Sequence, residues 1–230
     1  MNDNGFDGVI VSLKNFNKIK RIGETKVCVG AGVNLFTLNQ RLKKFSLGGL
    51  EWSYGIPATI GGFLAMNGGC FEHEICDYVE KILVFENNKL KTYKKEEVDF
   101  SYRHCGLRGR AVILAVWINL QKESSEKIEK NMNENITKKR LSQPCEYPSL
   151  GSVYKRIFVD DKIVYPAKLI DKLGLKGVKI GRAQISEKHA GFIVNLGGAT
   201  SADFVSLMKL IEEKIKGIGV CLKSEIIILR

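Results

Sequence analysis

The glycine-rich stretch between residues 50 and 69 constrains the fold of this chain more than any other feature. Its turn-forming residues are Gly55, Pro57, Gly61, Gly62, Gly68 and Gly69. Glycine permits positive φ and close backbone approach, so the stretch predicts a loop system instead of one long regular element. It has neither the six-residue dinucleotide fingerprint nor the Gly-Lys-Ser/Thr of a P-loop. Two interpretations stay open: turns in a β domain, and a loop that cradles a pyrophosphate.

Alternating apolar residues predict strands on both sides of this stretch. Apolar residues three and four apart predict an amphipathic helix over residues 35–45. Asn87 and Asn88 tolerate the positive φ of a tight turn, so they predict a hairpin between two of the strands. The predicted strands cover residues 9–13, 19–22, 27–29, 82–85, 90–93 and 111–120.

The C-terminal part mixes helices with short strands. A charged segment with apolar residues four apart over residues 128–136 predicts a mostly exposed helix. Two further helices are predicted, one beginning at Pro166 and one capped by Thr200 or Ser201. The predicted strands cover residues 178–180, 192–195 and 220–229. The fold class is therefore α+β, with predicted domains over residues 1–122 and 123–230.

The composition supports a folded protein without a membrane span. Hydrophobic residues make up 44% and prolines number only four, so a core can offset the lost conformational entropy. No run approaches eighteen apolar residues, and the first residues lack the basic start and apolar stretch of a signal peptide. We therefore expect a cytoplasmic location and no membrane partner. The six cysteines predict reduced thiols instead of a disulfide scaffold.

The positive charge could indicate nucleic-acid binding, and the spacing of histidines and cysteines could indicate zinc binding. Other features of the sequence favour neither. Lys and Arg number 36 against 25 Asp and Glu, giving a formal charge of +11. The lysines are scattered through every segment, which favours solvated surface over a nucleic-acid-binding face. Cys70, His73 and Cys76 precede His104 and Cys105, but a ligand set split in this way favours ordinary thiols over zinc. No metal and no nucleic-acid partner are predicted.

Two polar residues in the C-terminal half invite a catalytic interpretation. Ser152 lacks the glycines two residues to either side that a nucleophile elbow needs, so a hydrolase is a poor fit. Glu225 lies among isoleucines, where it either faces solvent or points into a site, and the pattern alone favours solvent.

Taken in order, the motifs of this chain resemble the UDP-N-acetylenolpyruvoylglucosamine reductase family. The resemblance covers nearly the whole chain, and its most specific block runs from Gly174 to Asn195. The short connection from Lys155 to Leu169 resembles the branch without an inserted tyrosine-bearing loop. The other matching motifs are Asp7 to Ile10, Gly30 to Val33, Gly49 to Glu51, Gly55 to Gly62, Met66-Asn67, Tyr102-Arg103, Gln143-Pro144 and Gly151 to Lys155.

The resemblance implies a flavoenzyme of peptidoglycan precursor synthesis. It implies the remainder of a PCMH-type FAD-binding domain followed by an α+β substrate-binding C-terminal domain. FAD would be the cofactor, NADPH the reductant, and UDP-N-acetylglucosamine enolpyruvate the substrate. Reduction of the enolpyruvyl double bond would leave carbanion or enolate character next to the substrate carboxylate, which a cationic group must stabilise.

The resemblance also implies the site residues. Arg103 and Glu225 would polarise the substrate carboxylate, and Ser152 would donate the proton. The implied cofactor contacts are Gly55, Ile56, Pro57, Thr59, Gly61, Gly62 and Asn67. The implied substrate contacts are Tyr102, Arg140, Lys155 and Gln184.

The chain departs from the family pattern in ways that keep a second interpretation open. Family members place a strand and a Gly-Ser-Asn turn before the segment that begins here, so roughly sixty residues of the flavin domain are expected to be absent. A separately encoded N-terminal segment is one expected partner, and a non-catalytic remnant that binds a nucleotide sugar is the alternative function. Departures within the chain are Ala58, Cys105, Arg156, Arg182, Lys223 and Ile227.

Overall fold

The computed structural model describes residue 3, residues 5–159 and residues 162–229. Contacts divide the chain into a sheet unit, Ile10–Thr137, and a C-terminal unit, Met1–Val9 with Lys138–Arg230. This division falls inside a helix and after the predicted boundary between residues 122 and 123. The first turns of that helix belong to the sheet unit because the Lys43 ammonium lies 2.9 Å from the Glu129 carboxylate.

The sheet unit is built on one antiparallel sheet. Its strands are β1 (Ile19–Ile22), β2 (Lys26–Gly30), β3 (Leu47–Gly48), β4 (Gly69–Cys70), β5 (His73–Glu74), β6 (Val79–Glu86), β7 (Lys89–Lys94), β8 (Phe100–Ser101), β9 (His104–Cys105), β10 (Val112–Asn119) and β11 (Gln121–Lys122). Its helices are α1 (Leu35–Lys44) and α2 (Ile60–Ala65), and α3 (Ser125–Ser142) begins in this unit. The five long strands pair in the order β1-β2-β10-β6-β7.

The predicted hairpin and the predicted first helix are confirmed. Asn87 and Asn88 have φ of 50° and 58°, and they connect β6 to β7 as the sequence predicts. The side chain of Asn34 caps α1 by accepting a hydrogen bond of 2.7 Å from the Thr37 amide. Buried leucines of α1 join the same core as the inner residues of β2, β6 and β10.

Two predictions for the sheet unit are wrong. Residues 9–13 form no strand in the described part of the chain, and the backbone turns after them, where the Leu13 carbonyl accepts from the Phe16 amide. Within the predicted loop system, α2 forms although glycine lowers its helix propensity. Thr59 caps α2, and the absence of a side chain at Gly61 lets the helix approach Ala31.

The C-terminal unit packs helices on a four-stranded sheet. Its elements are β12 (Ser149–Ser152), β13 (Ile157–Val159), β14 (Lys162–Val164), α4 (Pro166–Lys172), β15 (Lys179–Ile180), β16 (Ala183–Ile185), β17 (Phe192–Asn195) and α5 (Ser201–Lys216). The strand order is β12-β17-β16-β15, and β13 pairs with β14. Thr200 is the cap of α5, in a capping box with Asp203.

The last predicted strand, residues 220–229, is wrong for the described residues. The segment makes one isolated bridge, between Ser224 and Tyr154, instead of a ladder. Two backbone hydrogen bonds flank the bridge, from Lys155 to the Lys223 carbonyl and from Glu225 to the Val153 carbonyl. Across the described part of the chain, no helix has the length and apolar character needed to span a membrane.

Candidate functional site

In the glycine-rich loop, the backbone amides at the start of α2 donate hydrogen bonds within the protein. The Ile60 amide donates to the Val33 carbonyl at 2.8 Å, and the Gly61 amide donates to the Ala31 carbonyl at 3.0 Å. The Gly62 amide donates to Thr59 Oγ1 at 3.3 Å. These amides already donate to acceptors within the protein. The geometry therefore does not support the interpretation of this helix start as a pyrophosphate cradle.

The same loop offers a surface to a planar ligand. Gly55, Pro57 and Thr59 are exposed and Ile56 is half-buried. Residues 56–59 of this loop line a cavity of about 330 Å³, together with Asn34 and Phe36. Backbone, proline and isoleucine surface with one hydroxyl suits the face of an isoalloxazine ring, so these residues fit a flavin.

The backbone conformation at Gly55 favours glycine over other residues. Its φ of +82° lies in the left-handed region, where an L side chain is strained. A Cβ atom there would also lie 3.3 Å from Cδ1 of Ile136. Gly61 has a different role because it is buried against Ala31, where an added Cβ would approach the Ala31 Cβ to 2.7 Å.

The Asn67 side chain is buried and makes its hydrogen bonds within the protein. It has no exposed area. The amide nitrogen donates to the Glu74 carboxylate at 2.8 Å and to the Ser101 carbonyl at 3.0 Å, and the amide oxygen accepts from the Cys76 backbone at 3.3 Å. The geometry therefore gives this side chain an internal role and does not support its predicted contact with a cofactor.

Tyr102 and Arg103 form the tight turn between β8 and β9. Arg103 has a φ of +54°, an uncommon conformation for a side-chain-bearing residue. Its guanidinium donates to the Gly69 carbonyl at 3.0 Å and lies 4.9 Å from the centre of the Tyr102 ring. The turn therefore holds a half-buried cation in one place.

A β-bulge positions Ser152 in the C-terminal unit. Ser149 pairs with Val194 and Ser152 with Phe192, so β12 has one residue more than its partner strand between these pairs. Gly151 has the positive φ, +79°, that such a bulge uses. The exposed Ser152 hydroxyl makes a long hydrogen bond of 3.5 Å to the Tyr154 carbonyl. This weak contact leaves the hydroxyl able to donate to another acceptor.

Glu225 lies on the segment that pairs with the residue after Ser152. The Glu225 amide donates to the Val153 carbonyl at 2.8 Å, and the Val153 amide donates to the Gly191 carbonyl at 2.9 Å. Glu225 is half-buried, so the sequence pattern that favoured a solvent-facing carboxylate is only partly followed. The C-terminal unit thus brings Ser152 and Glu225 onto adjacent backbone segments.

The predicted substrate contacts of the C-terminal unit differ in exposure. Arg140 is exposed and Lys155 is half-buried. Gln184 is 7% exposed, and its amide nitrogen donates to the Gly177 carbonyl at 3.2 Å and to the Glu187 carboxylate at 3.3 Å. A ligand contact through that nitrogen of Gln184 is therefore not supported by the geometry.

The sheet unit contains an aromatic cluster that the sequence pattern does not predict. The Trp52 and His73 rings stack with centres 5.7 Å apart, and the Tyr78 hydroxyl lies 3.3 Å from His73 Nδ1. These rings help to line a cavity of about 310 Å³. Their separation in sequence gives no periodic signal. No group of three potential metal-ligating side chains occurs among residues 3, 5–159 and 162–229.

Comparison with known proteins identifies the fold and the family. The family model of an FAD-binding domain matches residues 1–88, and that of the UDP-N-acetylenolpyruvoylglucosamine reductase C-terminal domain matches residues 143–229. The reductase of Pseudothermotoga lettingae is 40% identical over 228 residues, covering 97% of this chain and 78% of its own. The chain belongs to this reductase family.

Further members of the reductase family give the same result. The reductase of Caldanaerobacter subterraneus subsp. tengcongensis is 38% identical and covers 98% of this chain and 74% of its own. The crystal structure of the Thermus caldophilus reductase superposes with a TM-score of 0.78 at 33% identity, covering 88% of this chain and 72% of that one. The predicted resemblance and the α+β fold class, an FAD-binding domain followed by the reductase C-terminal domain, are confirmed. The protein is an oxidoreductase, and its cofactor is FAD.

Proposed function

We propose that this protein uses NADPH to reduce UDP-N-acetylglucosamine enolpyruvate to UDP-N-acetylmuramate in the cytoplasm, as a step of peptidoglycan precursor synthesis. The observation that carries the proposal is the pairing of the Ser152 strand with the Glu225 segment, in a chain 40% identical to a named reductase. By the resemblance of the sequence motifs, Ser152 would be the proton donor and Glu225 the acid. The predicted domains, 1–122 for the flavin and 123–230 for the substrate, belong to the same proposal.

The flavin would lie on the exposed face of the glycine-rich loop. Bound FAD would supply the redox chemistry, taking two electrons from NADPH and passing them to the enolpyruvyl double bond. Gly55, Ile56, Pro57 and Thr59 would contact the ring, and Gly62 is exposed beside them. Gly61 acts indirectly, since its buried backbone holds α2 against Ala31.

Arg103 would stabilise the charge that develops during reduction. Electron density arriving at the double bond gives enolate character next to the substrate carboxylate, and a fixed cation lowers the energy of that state. The Gly69 carbonyl and the Tyr102 ring hold the guanidinium before any substrate binds. This preorganisation makes the cation effective because no reorganisation accompanies the reaction.

Ser152 would complete the reduction by protonating the substrate. A hydroxyl is a weak acid, but the carbanion or enolate is a strong base, so transfer from Ser152 Oγ is feasible. In the C-terminal unit, Glu225 would polarise the substrate carboxylate. Tyr102, Arg140 and Lys155 would bind the nucleotide sugar, and Gln184 would contribute only through its amide oxygen.

The two half-reactions of the flavoprotein test the proposal separately. In anaerobic stopped-flow measurements, the flavin of the Ser152→Ala variant should be reduced by NADPH at a near-normal rate. Its reoxidation by the enolpyruvyl substrate should slow by roughly a hundred to ten thousand times, the usual loss for one general acid. Glu225→Gln should slow the same step.

The matched control is Ser149→Ala, on the same strand. Ser149 is exposed and its hydroxyl accepts a 3.4 Å hydrogen bond from the Gly151 amide, so this variant removes a hydroxyl of similar setting. It should leave both half-reactions near normal. Equal slowing of both steps in Ser152→Ala would assign Ser152 to structure. A wild-type protein that binds the UDP-sugar in calorimetry but never reduces it would establish the non-catalytic alternative.

A further inference from the structure

The Asn67 side chain joins three segments of the sheet unit. Its amide nitrogen donates to the Glu74 carboxylate on β5 and to the Ser101 carbonyl at the end of β8. Its amide oxygen accepts from the Cys76 backbone. Asn67 is itself in the left-handed region, with a φ of +41°, and is completely buried. One side chain therefore ties the β4–β5 hairpin to the turn that carries Arg103.

The turn that Asn67 holds is strained. Ser101 pairs with His104, so Tyr102 and Arg103 occupy the two central positions. A positive φ at the second central position is usual for glycine or asparagine, and Arg103 has +54° there. Such a conformation persists when the surrounding contacts impose it. The contact from Asn67 reaches the backbone carbonyl immediately before this turn.

Arg103 is fixed at a second point close to Asn67. Its guanidinium donates to the carbonyl of Gly69, two residues after Asn67 in the chain. Gly69 pairs with Glu74, which accepts a hydrogen bond from the Asn67 amide. The backbone before Arg103 and the end of its side chain are thus anchored to the same small cluster, Asn67, Gly69 and Glu74.

Only an amide side chain meets the demands of this cluster. The Asn67 nitrogen uses two protons, one toward a carboxylate and one toward a carbonyl, while the oxygen faces a backbone donor. A carboxylate at this position would face the Glu74 carboxylate and lack both protons. An apolar side chain would remove all three of these hydrogen bonds, including the one from the backbone amide of buried Cys76.

We propose that Asn67 is the positioning residue for Arg103. Its amide keeps the Tyr102–Arg103 turn in the left-handed conformation and so fixes the guanidinium for charge stabilisation. This inference rests on the proposed function for its catalytic consequence, whereas its structural content concerns the turn alone. Asn67 is assigned here in place of the cofactor contact that the sequence predicted.

A double-mutant cycle with Arg103 provides the kinetic test. Asn67→Leu and Asn67→Asp should each slow reoxidation of the reduced flavin by the enolpyruvyl substrate by about a hundredfold, the scale of a 1 Å misplacement. Flavin reduction by NADPH should stay near normal. In an Arg103→Lys background the same substitutions should add less than about threefold, because residues that act together are not additive.

The matched control is Asn39→Leu. Asn39 is also a buried asparagine of the sheet unit, and its amide donates to the Leu35 carbonyl and to Ser53 Oγ, each at 2.9 Å. Its loss should lower stability without selective slowing of the second half-reaction. Equal effects from Asn39→Leu, or full additivity with Arg103→Lys, would overturn the proposal.

Hydrogen exchange tests the turn independently of catalysis. In Asn67→Asp, amides of residues 101–105 should exchange faster than in the wild type, while those in Asn39→Leu should be unchanged. If the wild type fails to reduce the enolpyruvyl substrate, the proposed function is wrong and the exchange result still decides the role of Asn67. Unchanged exchange, or failure of both Asn67 variants to fold, would overturn the positioning role.

Discussion

Among single residues, Glu86 is a nearly buried carboxylate of the sheet unit with several polar partners. Its carboxylate lies 2.7 Å from Lys91 Nζ and 2.7 Å from Arg110 Nε, and it accepts a 2.6 Å hydrogen bond from the Tyr93 hydroxyl. The hydrogen bonds from Lys91 and Tyr93 are the main causes that lower the pKa of Glu86 from 4.5 to about 2. The folded state therefore favours the ionised carboxylate.

This pKa shift predicts an acid-sensitive contribution to stability. The stabilisation by Glu86 is fully present above pH 4.5 and is lost as the pH falls from 4.5 toward 2, because the unfolded chain takes up the proton first. Glu86→Gln should lower the unfolding midpoint at pH 7 and should flatten the loss of stability in that window. Urea denaturation at a series of pH values measures both effects.

A neighbour on the same strand supplies the control for Glu86. Glu80 pairs with Lys26 at 2.8 Å, but its side chain is 41% exposed. Exposed pairs contribute little to stability, so Glu80→Gln should leave the acid profile nearly unchanged. An acid profile of Glu86→Gln that matches the wild type would contradict the predicted role of the buried carboxylate.

At the scale of elements, the bulge in β12 is the feature that turns Ser152 to its position. Gly151→Ala places a side chain at a φ of +79° and should cost about 1 kcal/mol in stability. Relaxation of the bulge should also re-aim Ser152, so reoxidation by the enolpyruvyl substrate should slow by about tenfold or more. Denaturation and stopped-flow kinetics measure the two effects.

Gly109 allows the backbone effect of Gly151 to be separated from the effect on Ser152. Its φ is +77°, and an added Cβ at either glycine would meet no atom within 4 Å. Gly109→Ala should therefore lose similar stability while keeping the rate of the second half-reaction. The same slowing in both variants would mean that the bulge has no special relation to Ser152.

The elements also separate what the sequence could predict from what it could not. Helices with a cap and an apolar stripe, such as α1 and α5, were predictable because local residues determine them. The strand predicted over residues 9–13 was wrong because alternation does not reveal whether a partner strand exists. Motif matches selected Arg103 and Ser152, but the burial of Asn67 depends on three segments distant in sequence and needed the structure.

For the whole molecule, the formal charge of +11 is the property that most suggests a different function. Charge alone attracts polyanions without specificity, and such binding weakens steeply with salt. We predict that a random DNA duplex binds no more tightly than about 10⁻⁵ M at physiological salt, within the non-specific range. Fluorescence anisotropy at several salt concentrations tests this prediction. Nanomolar binding that persists at physiological salt would restore the nucleic-acid interpretation.

The internal hydrogen bonds of the glycine-rich loop make its shape independent of which ligand it binds. The Ile60 and Gly61 amides donate to the Val33 and Ala31 carbonyls, so the loop acquires its shape when the domain folds. Ligand binding therefore does not have to order the loop, and its free energy is not reduced by that loss of conformational entropy. Exposed Pro57 and buried Gly61 therefore affect different properties of the protein. Changes at the exposed positions can alter which ring the surface prefers, whereas a change at Gly61 acts on the stability of the domain. The loop is thus a fixed template whose ligand preference can evolve at little cost to its architecture.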